Sequence, residues 1–334
     1  GPIHRPVPRQ PAQPSLPAVI AGAMILAAIG FFWWTSTGIP SMNPEVVRLA
    51  ISRSGTKLAA ATADGEISAW QLGDFRFLGS ARNGSHPVND LSFSVDEKWI
   101  GIAGRRLTLR RVDSLADSLV LRDDGANYGS VDFHPDGKRL VTIRGDGVIE
   151  VLEVPSRRAI ASACCSTIAG AVAFRPDGTV VFSGGHWPRV WRSDNLTPLS
   201  RLTLDRQFMC FGPIAFSGGE VLIGSQDGRV HTWDARTFER KTGSPGSTDW
   251  VDTIAVQAET GIVAYAGANK NLRVWDRSTG RTNVLKEIRP SSNIVYCSGS
   301  GLLALGRSDG TIQFWDVQGV RLVSTLRIPV AGPT

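Results

Sequence analysis

Short runs of alternating apolar and polar positions recur along the chain from about residue 46 to its C-terminal end. The clearest run follows Asp309-Gly310, where Ile312, Phe314 and Val317 are apolar and Trp315 lies among them. Alternation of this kind predicts a half-buried β-strand, and the Asp-Gly pair before it predicts a tight hairpin turn. The basic unit is therefore predicted to be a β-hairpin.

Imperfect copies of this unit recur with a nearly constant period. The position equivalent to Trp315 is occupied in turn by Trp70, Arg110, Leu152, Trp191, Trp233, Trp275 and Trp315. These positions are separated by 40, 42, 39, 42, 42 and 40 residues. A period near 40 with four short strands per unit is typical of a propeller blade. The seven units predict an all-β, seven-bladed β-propeller over residues 46–330.

Two motifs identify the type of propeller. The dipeptide Trp-Asp ends three third strands, at residues 233–234, 275–276 and 315–316, and Phe-x-Pro-Asp-Gly ends two first strands, at residues 133–137 and 174–178. On these residues the chain resembles the WD40-repeat family. The resemblance implies the fold but leaves the activity open, because propellers host many unrelated functions.

Two departures from the family pattern affect stability and closure. The resemblance implies a His before each first strand that bonds to the turn Asp and the Trp, but only His86 lies near such a place. We therefore expect no complete hydrogen-bonded set of this kind, and stability that rests on apolar packing between blades. The first unit begins directly at Val46, and the last supplies its own outer strand at residues 321–328. We expect blade 7 to close the ring by packing on blade 1, without an N-terminal clasp.

The N-terminal 45 residues have a different composition. Residues 1–15 are rich in proline and predict a flexible tail, because such a segment cannot bury enough apolar surface to fold. Residues 16–34 contain no charged side chain and as a helix would span roughly 28 Å, close to the thickness of a bilayer's hydrocarbon core. They predict one N-terminal transmembrane α-helix over residues 16–36, followed by a linker over residues 37–45. A cleaved signal peptide and a buried globular helix are the alternatives.

Two features of the predicted helix bear on its surroundings. Phe31, Phe32, Trp33 and Trp34 lie at its end, where an aromatic belt meets the lipid headgroups. The spacings of Ala18 and Gly22, and of Ala23 and Ala27, would let partner helices approach closely. The lipid bilayer and integral membrane proteins of a larger complex are therefore the expected partners.

The charges around the predicted helix suggest an orientation. The tail is basic and free of acidic residues, which favours a cytoplasmic tail and a propeller outside the cytoplasm, in the periplasm or a lumen. Arg48, Arg53 and Lys57 argue the other way, but more weakly, because they belong to a folded domain. Because residues 36–45 reach at most about 34 Å, the face of the ring that they enter should lie near the membrane.

That face is formed by the loops between blades and by the turns between second and third strands, and we call it the top face. Aromatic and arginine side chains are enriched in interface cores, and both types occur in these segments. The candidate partner-binding residues are Tyr128, His186, Trp187, Phe208, Trp250, Arg105, Arg106, Arg206, Lys270 and Arg289. The alternative is that the aromatic rings cap local packing and the charges are simply solvated.

Composition and motifs argue against several other functions. The net charge of +6 falls well short of the balance of a nucleic-acid-binding protein. The five histidines show no metal-ligand spacing, and no nucleophile or phosphate-loop motif is present. We expect no catalytic residues, cofactor or metal, and we expect buried, unreactive thiols at the four cysteines.

Three functional hypotheses follow. The leading one is a non-catalytic, membrane-anchored propeller that acts as an accessory or scaffold subunit of a membrane protein complex. The second is a membrane-tethered sensor or receptor that binds a peptide or soluble ligand at the propeller channel. The third, an enzyme built around the channel, has no supporting motif.

Overall fold

The computed structural model describes residues 44–84, 87–165, 170–185, 188–204, 210, 212–247, 249–257, 259–267, 269, 271–286, 288, 290 and 293–329. Within this part of the chain, 28 strands form seven four-stranded antiparallel sheets, each made of four consecutive strands. The seven-bladed all-β propeller predicted from the repeat period is confirmed.

The strands of the first four blades run in chain order from the inner to the outer edge of each sheet. Blade 1 contains β1 (Val46–Ile51), β2 (Lys57–Thr62), β3 (Glu66–Gln71) and β4 (Arg76–Arg82). Blade 2 contains β5 (Asp90–Phe93), β6 (Trp99–Ala103), β7 (Leu107–Arg111) and β8 (Ser118–Arg122). Blade 3 contains β9 (Tyr128–Phe133), β10 (Arg139–Arg144), β11 (Val148–Glu153) and β12 (Ala159–Cys164). Blade 4 contains β13 (Val172–Phe174), β14 (Val180–Ser183), β15 (Arg189–Arg192) and β16 (Pro198–Arg201).

The last three blades repeat this order. Blade 5 contains β17 (Ile214–Ser217), β18 (Glu220–Gly224), β19 (Val230–Asp234) and β20 (Arg240–Lys241). Blade 6 contains β21 (Thr253–Val256), β22 (Ile262–Ala266), β23 (Leu272–Asp276) and β24 (Thr282–Leu285). Blade 7 contains β25 (Ile294–Cys297), β26 (Leu302–Gly306), β27 (Thr311–Asp316) and β28 (Arg321–Arg327).

The periodic third-strand position lies on the third strand of every blade, as predicted. In blades 1, 3, 4 and 7 it also borders a β-bulge against the outer strand. A bulge bends the strand and increases its twist. The repeated residue therefore marks the place where each of these outer strands is bent, as well as a position in the core.

The hydrophobic core is divided among the interfaces between neighbouring blades. Seven clusters of buried residues can be distinguished in the described part of the chain, and each joins two adjacent blades. Blades 1 and 2, for example, share a cluster that includes Ile67 and Ile100. Apolar packing between blades is thus the main source of cohesion, as the sequence predicts.

The ring closes between blades 7 and 1 by packing and hydrogen bonds. Leu49 and Trp70 of blade 1 pack in one cluster with Phe314 and Cys297 of blade 7. The Asn293 side chain, which precedes β25, accepts a hydrogen bond from Leu49 N (2.5 Å) and donates one to Leu49 O (2.7 Å). Among the described strands, blade 7 takes its outer strand from its own repeat, as predicted.

The predicted N-terminal segments lie outside the described residues. This applies to the transmembrane helix over residues 16–36 and to its named positions Gly22, Ala23, Ala27, Phe31, Phe32, Trp33 and Trp34. In the part of the chain that is described, no helix has both the length and the apolar character needed to cross a bilayer.

Candidate functional site

The top face of the ring is built from two kinds of segment that hydrogen bonds hold together. After β4, Asn83 N donates to Gly65 O in the turn between β2 and β3 (2.9 Å). Before β9, Asn127 O accepts from Gly145 N in the turn between β10 and β11 (2.7 Å). The loops between blades and the second turns of the blades therefore form one surface.

Four of these turns contain the predicted Asp-Gly pair, and both residues have structural roles. Gly65, Gly147, Gly228 and Gly310 have φ angles of 86°, 83°, 75° and 76°. These values favour glycine because other residues carry a Cβ that clashes there. The aspartates bond within the turn, as where Asp309 Oδ1 accepts from Thr311 N (3.0 Å). The turns therefore fix the shape of the face.

Trp250 is the most exposed large apolar side chain among the described residues. It lies on the loop before β21, exposes 56% of its surface and contributes to the mouth of the central channel. Tryptophan is highly buried on average, and it is enriched among the residues that contribute most to binding at interfaces. Of the predicted face residues that are described, Trp250 has the strongest character of a contact residue.

Arg105 and Arg106 lie at the tip of the turn between β6 and β7, and both are exposed. Arg106 Nε is 2.9 Å from Asp123 Oδ1, and both side chains are more than half exposed. Such a surface pair contributes little to stability, so the guanidinium group can exchange Asp123 for another partner at small cost. The arginine pair thus adds a charged region to the top face.

The sequence places Tyr128 in a loop between blades, but the structure places it on a strand. It begins β9, is fully buried, and its hydroxyl donates to Asp124 Oδ1 (3.0 Å). Burial and the bond to Asp124 raise the pKa of this hydroxyl, so that it stays protonated. Tyr128 fits the alternative in which an aromatic ring caps local packing.

Six further predicted face residues lie outside the described part of the chain. They are His186, Trp187, Arg206, Phe208, Lys270 and Arg289. Their role in partner binding stays a prediction.

The innermost strands surround a central channel of about 910 Å³. Polar side chains from several blades line it, including Arg48, Asp90, Ser130, Asp132 and Asn293. Burial raises the pKa of Asp132 to about 7, with nearby Asp90 adding to the effect. Burial also raises the pKa of Asp90.

Most of these channel groups are occupied in joining one blade to the next. Asp90 Oδ2 accepts from Ser130 Oγ (2.7 Å) and Val131 N (3.0 Å), across the interface of blades 2 and 3. Asp132 Oδ2 accepts from Phe174 N in blade 4 (2.8 Å). We call these bonds the channel girdle. The sequence carries a signal for this arrangement, because Arg48, Asp90 and Asp132 are spaced by 42 residues, which is one blade period.

The two described histidines outside the top face are buried and hydrogen-bonded. His134 Nε2 lies 2.8 Å from Gly178 O of the next blade, and His231 Nε2 lies 2.9 Å from Asp227 Oδ2 in the turn before β19. His231 also packs beside Trp233. His231 lies on the third strand of blade 5, two residues before Trp233. Its bond to Asp227 therefore joins the aspartate of the turn to the strand that carries the tryptophan. Among the described residues, no group of three or more His, Cys, Asp or Glu side chains could hold a metal ion.

The cysteines correct one expectation. None of the four is in a disulfide, and Cys165, Cys210 and Cys297 are buried, but Cys164 is exposed. Cys164 ends β12, an outer strand, and there its side chain points away from the buried side that Cys165 faces. Burial raises the pKa of Cys210 and Cys297 to about 12, so these thiols are protonated at neutral pH.

Comparison with known proteins supports a WD-repeat relationship. Periodic tryptophan protein 2 of Saccharomyces cerevisiae is 26% identical over 297 residues, 85% of this chain and 32% of the yeast protein. Target of rapamycin complex subunit LST8 of Mus musculus is 20% identical over 289 residues, 83% of this chain and 77% of the mouse protein. An uncharacterized WD repeat-containing protein of Synechocystis is 32% identical over 149 residues, 42% of this chain and 41% of that protein.

The chain therefore spans about a third of the yeast relative and about three quarters of the mouse relative. No protein-family model matches the chain. The seven-bladed ring together with these relatives supports the WD40-repeat assignment made from the Trp-Asp motifs.

Proposed function

We propose that this chain is a non-catalytic, membrane-anchored WD40 propeller that acts as an accessory or scaffold subunit of a membrane protein complex. The observation that carries the proposal is Trp250, a tryptophan 56% exposed on the top face of a closed ring. A rigid ring presents such a side chain with little loss of conformational freedom on binding. Arg105 and Arg106 supply polar and charged contacts on the same face.

The name of one relative agrees with a role in assembly. The mouse relative is named as a subunit of a complex, and its similarity covers 83% of this chain. We extend that kind of role, without its particular partners, to the present chain. Protein–protein contact is the activity that a propeller face of this chemistry supports best.

The membrane part of the proposal rests on residues 16–36 of the sequence. In it, the apolar helix packs among the helices of integral membrane proteins, and the propeller lies outside the cytoplasm and covers their surface. The spacing of Gly22, Ala23 and Ala27 supports close contact between helices.

The test is blue-native electrophoresis of the full chain after extraction in mild detergent. We expect migration in a complex much larger than the chain, and we expect Trp250→Ala to shift most of it to lower mass. Leu199→Ala is the matched control, because Leu199 is 45% exposed on the outer strand of blade 4. Migration of the unaltered chain only as a free monomer would overturn the proposal.

A second candidate function is a sensor that binds a small ligand in the central channel. The convergence of Arg48, Asp90 and Asp132 on one channel favours it. It ranks lower because the carboxylates of Asp90 and Asp132 already bond to neighbouring blades. Asp252 also lines the channel, and it is exposed. Native mass spectrometry of the purified full chain tests this candidate, since a bound molecule that Asp252→Asn releases would favour it.

A further inference from the structure

The outer strand of blade 7 leaves a long backbone edge without a strand partner. β28 runs for seven residues and pairs with β27 on its inner side only. Among the described residues, no other strand hydrogen-bonds to its outer side. An uncovered edge of this length is a template for pairing with another chain.

The hydrogen-bond pattern shows which groups point outward. Ile328 N donates to Gly310 O, so the N–H of this residue points toward β27. Along an antiparallel strand the direction alternates, and therefore the N–H groups of Thr325 and Arg327 point away from the sheet. Thr325 is paired across the ladder with Gln313, on a stretch of regular register.

Two arginines at the ends of β28 place positive charge at this edge, with Asp316 of β27 opposite Arg321 across the ladder. Arg321 and Arg327 are both exposed, and within the described residues neither has a carboxylate at ion-pair distance. The other seven-residue outer strand, β4, differs in this respect. Its Arg76 lies 3.7 Å from Asp74, and its Arg82 lies 2.9 Å from Asp64.

The lower end of β28 also borders a groove of about 370 Å³ between blades 6 and 7. Arg321 and Val323 line it on the β28 side, and Gln257 lines it on the blade 6 side. Close by, Val320 is 46% exposed and Leu322 is 43% exposed. The charged edge is therefore accompanied by apolar surface and by space for a side chain.

The other outer strands offer less. β20 is only two residues long, and β16 and β24 have four residues each. β12 and β8 come closer, with six and five residues, but β12 carries no arginine and Arg122 of β8 lies 3.4 Å from Glu150. Short edge strands are one of the ways in which proteins prevent unwanted pairing. β28 is therefore longer than these strands. It differs from β4 because the arginines of β4 are in ion pairs.

We propose that the β28 edge binds an extended, acidic segment of a partner protein, which adds to blade 7 as a fifth strand. Arg321 and Arg327 are six positions apart with one β-bulge, at Val323, between them, so the two lie about 17–20 Å apart and carboxylates five or six residues apart in the segment meet both. Alternate side chains of the segment contact Leu322 and enter the groove beside Val323. The occupant is not a second copy of β28, because antiparallel pairing of two copies brings Arg321 of one against Arg327 of the other.

This edge lies on the outer rim of the ring, so the inference does not depend on the proposed role of the top face. The probe is a library of random 12-residue peptides, selected against the full chain in mild detergent. We expect enrichment of peptides that alternate β-branched or aromatic residues with polar ones and carry Asp or Glu about six positions apart. Synthetic copies of the enriched peptides are then measured by fluorescence anisotropy.

Three variants decide the site of binding. Thr325→Pro removes an outward N–H, and Arg321→Glu with Arg327→Glu reverses the charge, so we expect each to raise Kd at least tenfold. Thr325→Val keeps the N–H and should leave Kd within about twofold. Circular dichroism and thermal melting verify that the variants fold, and hydrogen exchange in the unaltered chain should slow at residues 321–327 when peptide binds.

Two results would overturn the proposal. One is a selection that enriches no acidic, alternating peptide above a control without protein. The other is an enriched peptide whose Kd is the same for Thr325→Pro as for Thr325→Val.

Discussion

Trp191 and Trp233 occupy equivalent positions in blades 4 and 5, but their indole groups have different partners. Trp191 Nε1 donates to Ser183 Oγ (2.9 Å), whereas Trp233 Nε1 has no hydrogen-bond partner among the described residues. Both rings are almost completely buried. The same repeated residue is thus a hydrogen-bonded element in one blade and a purely apolar one in the next.

Trp→Phe substitutions should separate these two roles. Trp191→Phe breaks a buried hydrogen bond and leaves Ser183 unpaired, and such losses typically cost about 1–2 kcal/mol. We therefore expect Trp191→Phe to lower the free energy of unfolding by about that much more than Trp233→Phe, measured in urea. A double-mutant cycle with Ser183→Ala is the control. If the two substitutions are additive, the bond contributes nothing.

Asp132 should make stability depend on pH. Burial raises its pKa to about 7 in the folded chain, whereas in the unfolded chain it titrates near its ordinary value of 3.8. Between these values the folded state holds more protons than the unfolded state, so stability falls as pH rises from about 4 to about 7. Neutral Asn removes this contribution. The Tm of Asp132→Asn minus the Tm of the unaltered chain should therefore increase from pH 5 to pH 8.

Carboxylates whose pKa is lowered on folding act in the opposite direction, and their contribution is lost as pH falls below about 4. Asp177, whose pKa Arg175 lowers to about 2, is one of them. The comparison therefore uses the difference between the two chains at each pH, in which the common contributions cancel. A difference in Tm that stays constant from pH 5 to pH 8 would contradict the role given to Asp132.

At the level of elements, one side chain adds a pair of hydrogen bonds to the packed closure between blades 7 and 1. Asn293 both accepts from and donates to the backbone of Leu49, at 2.5 and 2.7 Å. Asn293→Ala should destabilise the ring by about 1–3 kcal/mol, because two buried backbone groups lose a partner. Hydrogen exchange should then speed up in β1 and β25 before the other blades.

Asn89 provides a matched control within the continuous part of the ring. Its side chain donates to Tyr128 O (2.8 Å) across blades 2 and 3, which the chain joins covalently. Asn89→Ala should speed up exchange only locally, since blades 2 and 3 cannot separate freely. Equal and global effects of the two substitutions would show that the closure is no weaker than the other interfaces.

The predictable and the unpredictable features differ in the range of the interactions that determine them. The strands, the Asp-Gly turns and the blade count follow from local alternation and from the period, because turn geometry and strand pairing within a blade are short-range. The burial of Tyr128 and the exposure of Cys164 depend on the packing of neighbouring blades, which local pattern does not specify. The channel girdle lies between these cases, since the spacing of Asp90 and Asp132 equals the period.

For the whole molecule, seven interfaces of the same kind make up the ring, and only six of them are crossed by the chain. The seventh joins Leu49 and Trp70 to Phe314 and has a core like the others. The ring is thus held by packing throughout, and its faces stay fixed relative to one another. A fixed top face and a fixed β28 edge would let one subunit contact two partners at a defined angle.

The proposed orientation, with the propeller outside the cytoplasm, can be tested with the cysteine that the structure shows to be exposed. Cys164 is exposed, whereas burial raises the pKa of Cys210 and Cys297 to about 12, so Cys164 should react first with maleimide. If the propeller lies outside the cytoplasm, a membrane-impermeant maleimide should label the full chain in sealed right-side-out vesicles. Cys164→Ser should abolish that labelling, and Thr334→Cys in the same variant should restore it. Labelling that appears only after detergent opens the vesicles would reverse the proposed orientation.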